Sequence, residues 1–127
     1  MDKLLRKLLT ANESELLDFK ANFYNISERK SKTDFVKDLL SMANASSRGN
    51  GYIVCGVKIK EDGSKEMIGM PVKTFVDDAP WHQMILKYAS HPLNFTIDKV
   101  FSTEHNSWFV IITVFTDQKR PVNLHYG

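Results

Sequence analysis

The stretch SKTDFVKDLLSMANASSRGNGYIVCGV, residues 31–57, sets how the rest of the chain is organised. Phe35, Leu39 and Met42 recur beside Val36, Leu40 and Ala43 at spacings of three, four and seven, which predicts a helix over 31–45 with one wide apolar face. Ser31 and Asp34 fit a capping box at its start, with Asp34 in the place of the usual glutamate. The pattern stops after Asn44. Ser46 to Gly51 supplies no core-filling side chain, and its two glycines suit a turn or a close backbone approach. Tyr52 to Val57 is apolar toward both faces, as in a central strand covered on two sides.

Outward from this unit, the amino end contains Leu4, Leu5, Leu8 and Leu9 among charged residues, an amphipathic helix suited to covering a sheet. In Ser14 to Lys20, Leu17 and Phe19 alternate with Leu16, Asp18 and Lys20, the period of a strand. Residues 21–32 are expected as a loop anchored by Phe23, Tyr24 and Ile26. Lys58 to Gly63 forms a charged turn out of the sheet, Ser64 to Gly69 a short returning strand, and Thr74 to Val76 a turn of helix. Pro80 suits the first position of a second packed helix, in which Trp81, Met84, Ile85 and Tyr88 share a face. Asn94 to Phe101 and Ser107 to Thr116 form an antiparallel hairpin, and Arg120 to Val122 begins another edge element.

At 127 residues the chain suits one domain, 1–127, standing alone or as a fragment of a longer protein. Seventeen basic and fifteen acidic residues give +2, so any phosphate-binding patch must come from local arrangement. No apolar run approaches the ~20 residues of a membrane span, so the expectation is a cytoplasmic location with no membrane partner. Cys55 lies within the apolar strand and is expected to behave as a small hydrophobe. His82, His91, His105 and His125 lack metal-motif spacing, and Ser46 and Ser47 lack recognisable triad partners.

Two segments carry chemistry. In ESELLDFK, residues 13–20, Asp18 and Lys20 share a strand face, and Glu13 could reach back as a second carboxylate. Such a group could hold a divalent ion beside an ammonium, although hydrolysis would require a third acid or a main-chain oxygen from elsewhere. In MANASSRGNGY, residues 42–52, Arg48 could contact phosphate, while Asn44 and Asn50 offer donors and acceptors around Gly49 and Gly51. The helix-then-strand order is the reverse of a Walker A loop, so ATP binding is unsupported.

At these two segments the sequence resembles the Schlafen/AlbA-like domain, a DNA-binding domain of bacterial, archaeal and viral proteins. The matching residues are Glu13, Asp18, Phe19 and Lys20, then Ala43, Asn44, Gly49, Gly51, Gly56 and Val57. Gly63 and Gly69 resemble its turn glycines, and Arg120, Pro121 and Val122 its arginine-proline-valine segment, so the likeness spans roughly residues 4–123. It implies an α/β (α+β) domain with a mixed, mainly antiparallel sheet packed with about three helices, related to small archaeal chromatin proteins.

The resemblance also implies DNA or RNA as partner, a regulatory setting, and in some relatives an RNA endonuclease using acids of the first strand. Carried over, Glu13 and Asp18 become the candidate catalytic and metal-binding acids, with Lys20 their basic companion. Three departures bear on that transfer: Asp18 stands where glutamate is usual, Ala45 replaces a threonine, and Lys58 stands where an acid is frequent. The leading expectation is therefore phosphate-backbone binding through Lys20, Asn44, Arg48, Gly49, Asn50, Gly51 and Lys58, with Lys20, Arg48 and Lys58 meeting near the glycine turn. No cofactor is expected. The first alternative is a Mg²⁺- or Mn²⁺-dependent endoribonuclease or DNase, and the second a non-catalytic interaction or oligomerisation domain, including a homodimer.

Overall fold

The computed structural model describes residues 1–72 and 77–124. The turn of helix expected at Thr74 to Val76, and His125, lie outside the described residues. The elements are α1 (Asp2–Thr10), β1 (Leu17–Lys20), α2 (Arg29–Ala45), β2 (Gly51–Cys55), β3 (Val57–Ile59), β4 (Lys65–Met67), α3 (Ala79–Tyr88), β5 (Phe95–Ser102) and β6 (Ser107–Val114). A single 3-10 turn, Ser46–Arg48, joins α2 to β2.

The main sheet has the order β1-β2-β6-β5. β1 runs parallel to β2, whereas β2–β6 and β6–β5 are antiparallel, so the mixed and mainly antiparallel expectation holds. Both sheet faces are covered because strand side chains alternate. Ile53, Cys55, Val110, Ile112 and Val114 turn toward α2 and α3, where Phe35, Leu39, Trp81 and Ile85 meet them. Val54, Phe109 and Ile111 turn the other way, toward Leu5, Leu8 and Leu9 of α1. The double-sided apolar patterns of β2 and β6 are thus those of strands at the centre of three layers.

Period-two alternation places β1 as expected, with Leu17 and Phe19 buried on the α1 side. Asp18 and Lys20 therefore face α2, across from Leu17 and Phe19. Pro80 occupies the first turn of α3, and Trp81 stacks on Phe35 with ring centroids 4.4 Å apart. Phe23 and Tyr24 anchor the loop before α2 by packing edge-on against that pair, while Ile26 stays exposed. Cys55 is fully buried, and burial pushes its thiol up to about 12.

Three local expectations change. The Ser31–Asp34 capping box does not form: α2 starts two residues earlier, at Arg29, with no side-chain cap. Asn25 takes over the turn instead, accepting the Ser27 N–H (3.0 Å) and hydroxyl (2.7 Å), while Ser31 Oγ accepts the Asn25 N–H. The strand expected over Tyr52 to Val57 breaks at Gly56, whose φ of 109° suits glycine. A side chain there would meet Phe109 at 2.9 Å and the Gly69 Cα at 3.1 Å. Val57 onward consequently leaves the main sheet and pairs with β4 as a separate two-stranded ribbon. Lys65 ties that ribbon to α1 by donating to the Leu9 carbonyl (3.0 Å) and to that of Ala11. Finally, Arg120 to Val122 forms no strand; it docks by side-chain bonds on the end of α2.

Candidate nucleic-acid interface

The end of α2 shows why the asparagine and the arginine-proline-valine segment occur in one chain. Asn44 Nδ2 donates to the Val122 carbonyl at 2.9 Å, and its Oδ1 accepts the Val122 N–H at 2.7 Å. Arg120 Nε donates to the Ala43 carbonyl at 3.0 Å, and Nη2 to Ser46 Oγ at 2.8 Å. The Ala43 carbonyl in the last turn of α2, which also accepts the Ser46 hydroxyl, thereby gains a donor from a distant segment. Asn44 spends both halves of its amide on this junction, so the structure gives it a fastening role.

The remaining residues singled out for phosphate contact are spread apart. Arg48 pairs with Glu15 at 2.9 Å, at the end of β2 where Gly51 begins the strand. Asn50 accepts the Thr116 N–H at 3.1 Å. Gly51 starts β2 against Met42, and a Cβ there would come within 2.5 Å of the Met42 sulfur. Lys20 lies at the opposite end of β1–β2, level with Cys55. Lys58 is exposed on the separate ribbon, directly across from Glu66. Gly49, Arg48 and Asn50 thus share the turn, but Lys20 and Lys58 do not join them.

The acids, in contrast, do come together. Glu13 Oε2 accepts the Phe19 N–H at 3.0 Å, which carries its carboxyl back over β1 to Asp18. A third acid that sequence reasoning missed, Asp38 of α2, reaches the same place. Its Oδ2 accepts the Tyr24 hydroxyl at 2.6 Å and lies 3.5 Å from Lys20 Nζ, which is 3.3 Å from Asp18. Glu13, Glu15, Asp18 and Asp38 line a cavity of about 200 Å³ beside Ser41 and Met42.

These groups set one another's protonation. Burial raises the pKa of Asp18, a hydrogen bond with Glu13 adds to the effect, and Lys20 only partly opposes it. The hydrogen bond from Asp18, followed by that from the Phe19 N–H, lowers the pKa of Glu13. Asp18 is thus the member of the pair that keeps its proton to the higher pH, and Glu13 the one that ionises first. Burial works against the charge of Lys20, but the Asp18 and Asp38 carboxylates outweigh it and raise its pKa. Burial and the Asp38 carboxylate keep the Tyr24 phenol protonated.

A divalent ion does not fit this arrangement as it stands. Hard cations need several deprotonated oxygens converging on one point. Here an ammonium already lies between Asp18 and Asp38, 3.3 and 3.5 Å from their carboxylates. Among the described residues no three His, Cys, Asp or Glu side chains are gathered to hold a metal.

A wider concavity than the acid cavity lies elsewhere. A groove of about 470 Å³ is lined by Arg29, Lys32, Thr33, Val36, Lys37, Tyr88 and Leu124. Arg29, Lys32, Thr33, Val36 and Lys37 fall on one face of α2 at the spacing of successive helical turns. Tyr88 comes from the last turn of α3, and Leu124 from the segment that Asn44 and Arg120 fasten. Among the described residues no acid lines the groove, and Arg29, Lys32 and Lys37 make no ion pair. The sequence alone placed Arg29 in the loop 21–32 and Val36 and Tyr88 on packed helix faces, and it singled out none of the three cations. The signal it could have used is a helix start with three cations at 29, 30 and 32 and no acid in the first turn, against the helix dipole.

A four-stranded mixed sheet covered by helices on both faces, with a cationic groove along α2 and an exposed Glu13 paired with a half-buried Asp18, makes this an α+β domain. A family model described as Schlafen, AlbA_2 matches residues 13–127. The chain belongs to that family. No curated protein sequence matches it.

Proposed function

We propose that this domain binds nucleic acid through the phosphate backbone, and that the groove between α2 and α3 is the contact surface. The observation that carries this reading is a cleft that, among the described residues, is lined by three cations and no carboxylate. Uncompensated cations release the counterions of the nucleic acid when they bind, and this drives association. Compensated ones must first give up a partner: Arg48 would leave Glu15, and Lys20 would leave Asp18 and Asp38. The groove is therefore the better phosphate site, with Arg48 and the Gly49–Gly51 turn as a secondary contact.

The test is fluorescence anisotropy with labelled DNA and RNA over a range of salt concentrations. Changing both Lys32 and Lys37 to Gln weakens binding across all sequences and lowers the slope of log K against log salt by about 1–2. Lys20→Gln leaves that slope unchanged. An unaltered slope in the groove variant, or no binding by the unmodified protein at low salt, overturns the assignment.

A further inference from the structure

The groove has two kinds of wall. Along α2 stand Arg29, Lys32 and Lys37, with the buried Val36 between them at the floor; across from them Tyr88 of α3 and Leu124 present carbon. A site built only for a duplex backbone would need the cations alone. In a duplex the flat faces of the bases are stacked on one another, and only their edges and the sugar-phosphate strands meet a protein. An unpaired nucleotide offers both a phosphate and a free ring face.

We propose that the groove takes single-stranded nucleic acid, with an unpaired base lodged against Tyr88, Val36 and Leu124 and its flanking phosphates on the cations of α2. This rests on the phosphate-binding reading above and narrows it to one class of strand. The dimensions agree. Arg29 to Lys37 spans eight residues of helix, ~12 Å along the axis, which at ~3.4 Å per stacked nucleotide matches about three nucleotides. The cleft volume of about 470 Å³ is in the range of sites that enclose small ring systems. Tyr88 is half-buried, so its ring is held by the core and still borders the groove. Lys87, which does not line the groove, holds its Nζ over the Tyr88 ring, 5.4 Å from the centroid.

Anisotropy titrations with length-matched single-stranded RNA, single-stranded DNA and the corresponding duplexes test this. The unmodified protein binds a single strand more tightly than the duplex at equal salt. Tyr88→Leu, which keeps apolar volume in the core, weakens single-strand binding roughly tenfold with the salt slope preserved, and leaves duplex binding unchanged. Tyr88→Phe restores single-strand affinity. The RNA and DNA arms show whether a 2′-hydroxyl matters to either strand. Equal or tighter binding of duplex, or an equal loss for both forms in Tyr88→Leu, overturns the single-strand assignment. In those outcomes duplex binding that still falls when Lys32 and Lys37 are changed leaves the phosphate reading standing. Failure of every oligonucleotide to bind overturns both.

Discussion

Asn44 grips the backbone of Val122 by both its groups, accepting the N–H at 2.7 Å and donating to the carbonyl at 2.9 Å, across 78 residues of chain. Together with Arg120 on the Ala43 carbonyl, this bond pair closes the carboxy-terminal segment onto α2 and brings Leu124 to the groove. Asn44→Ala should cost about 1–3 kcal/mol, the net worth of two hydrogen bonds. Urea unfolding measures it. Arg120→Ala should destabilise through the same segment, so the double variant should lose less than the sum of the singles. Fully additive losses would separate the two fastenings.

The acid pair predicts a pH signature. Asp18 holds its proton more tightly folded than unfolded, so its contribution to stability is present below its ordinary value of 3.8 and is lost as pH rises through the raised folded value. Glu13 works in the opposite sense: its contribution is present above 4.5 and is lost as pH falls. An amide at position 18 would donate to Glu13 as the protonated acid does, without the penalty of ionising. Asp18→Asn should therefore raise the thermal midpoint near neutral pH, with the gain vanishing toward about pH 3. A pH-independent difference would contradict the raised pKa of Asp18.

How much of this was readable depended on whether the cause was local. The period of 3.6 in Phe35 to Ala43, the alternation of Leu17 and Phe19, and Pro80 before Trp81 each placed an element because neighbouring residues alone set the pattern. Glu13 and Asp18 were paired for the same reason, being five residues apart on one segment. The break at Gly56 was hidden because the apolar run continues through Val57, and only the distant Gly69 shows why the backbone must turn there. Asp38 was missed because its partners, Lys20 and Tyr24, reach it only once the loop has folded over α2. The groove joins Arg29, Tyr88 and Leu124, a juxtaposition that no local pattern could announce.

Lys20 predicts how the protein responds to metal. Its ammonium, 3.3 Å from Asp18 and 3.5 Å from Asp38, supplies the positive charge that a divalent ion would otherwise bring to these acids. Mg²⁺ or Mn²⁺ at about 5 mM should leave the unmodified midpoint within ~1 °C, because a ligand stabilises only by binding the folded state. Lys20→Gln frees the carboxylates, and its midpoint should rise on adding the ion. A clear rise in the unmodified protein would show that the ion displaces the ammonium from these acids.

Gly51 and Met42 form the tightest contact beside the acid cavity. Gly51 opens β2 opposite Val114, and Met42, which is 5% exposed, crosses directly over it. A methyl on Gly51 would stand 2.5 Å from the Met42 sulfur and 3.7 Å from Leu16, so the methionine must move while Leu16 need not. Its neighbours Leu39 and Ala43 are fully buried and leave it little room. Gly51→Ala should thus cost about 1–3 kcal/mol as overpacking. Met42→Ala alone should cost about 2–5 kcal/mol as a cavity. In the double variant the new methyl enters the space that Met42 vacates, so the combined loss should fall short of the sum by at least about 0.5 kcal/mol in urea unfolding. Additivity would mean that α2 shifts as a body rather than Met42 repacking. In that case the walls of the acid cavity, to which Met42 and Asp38 both belong, would move with it.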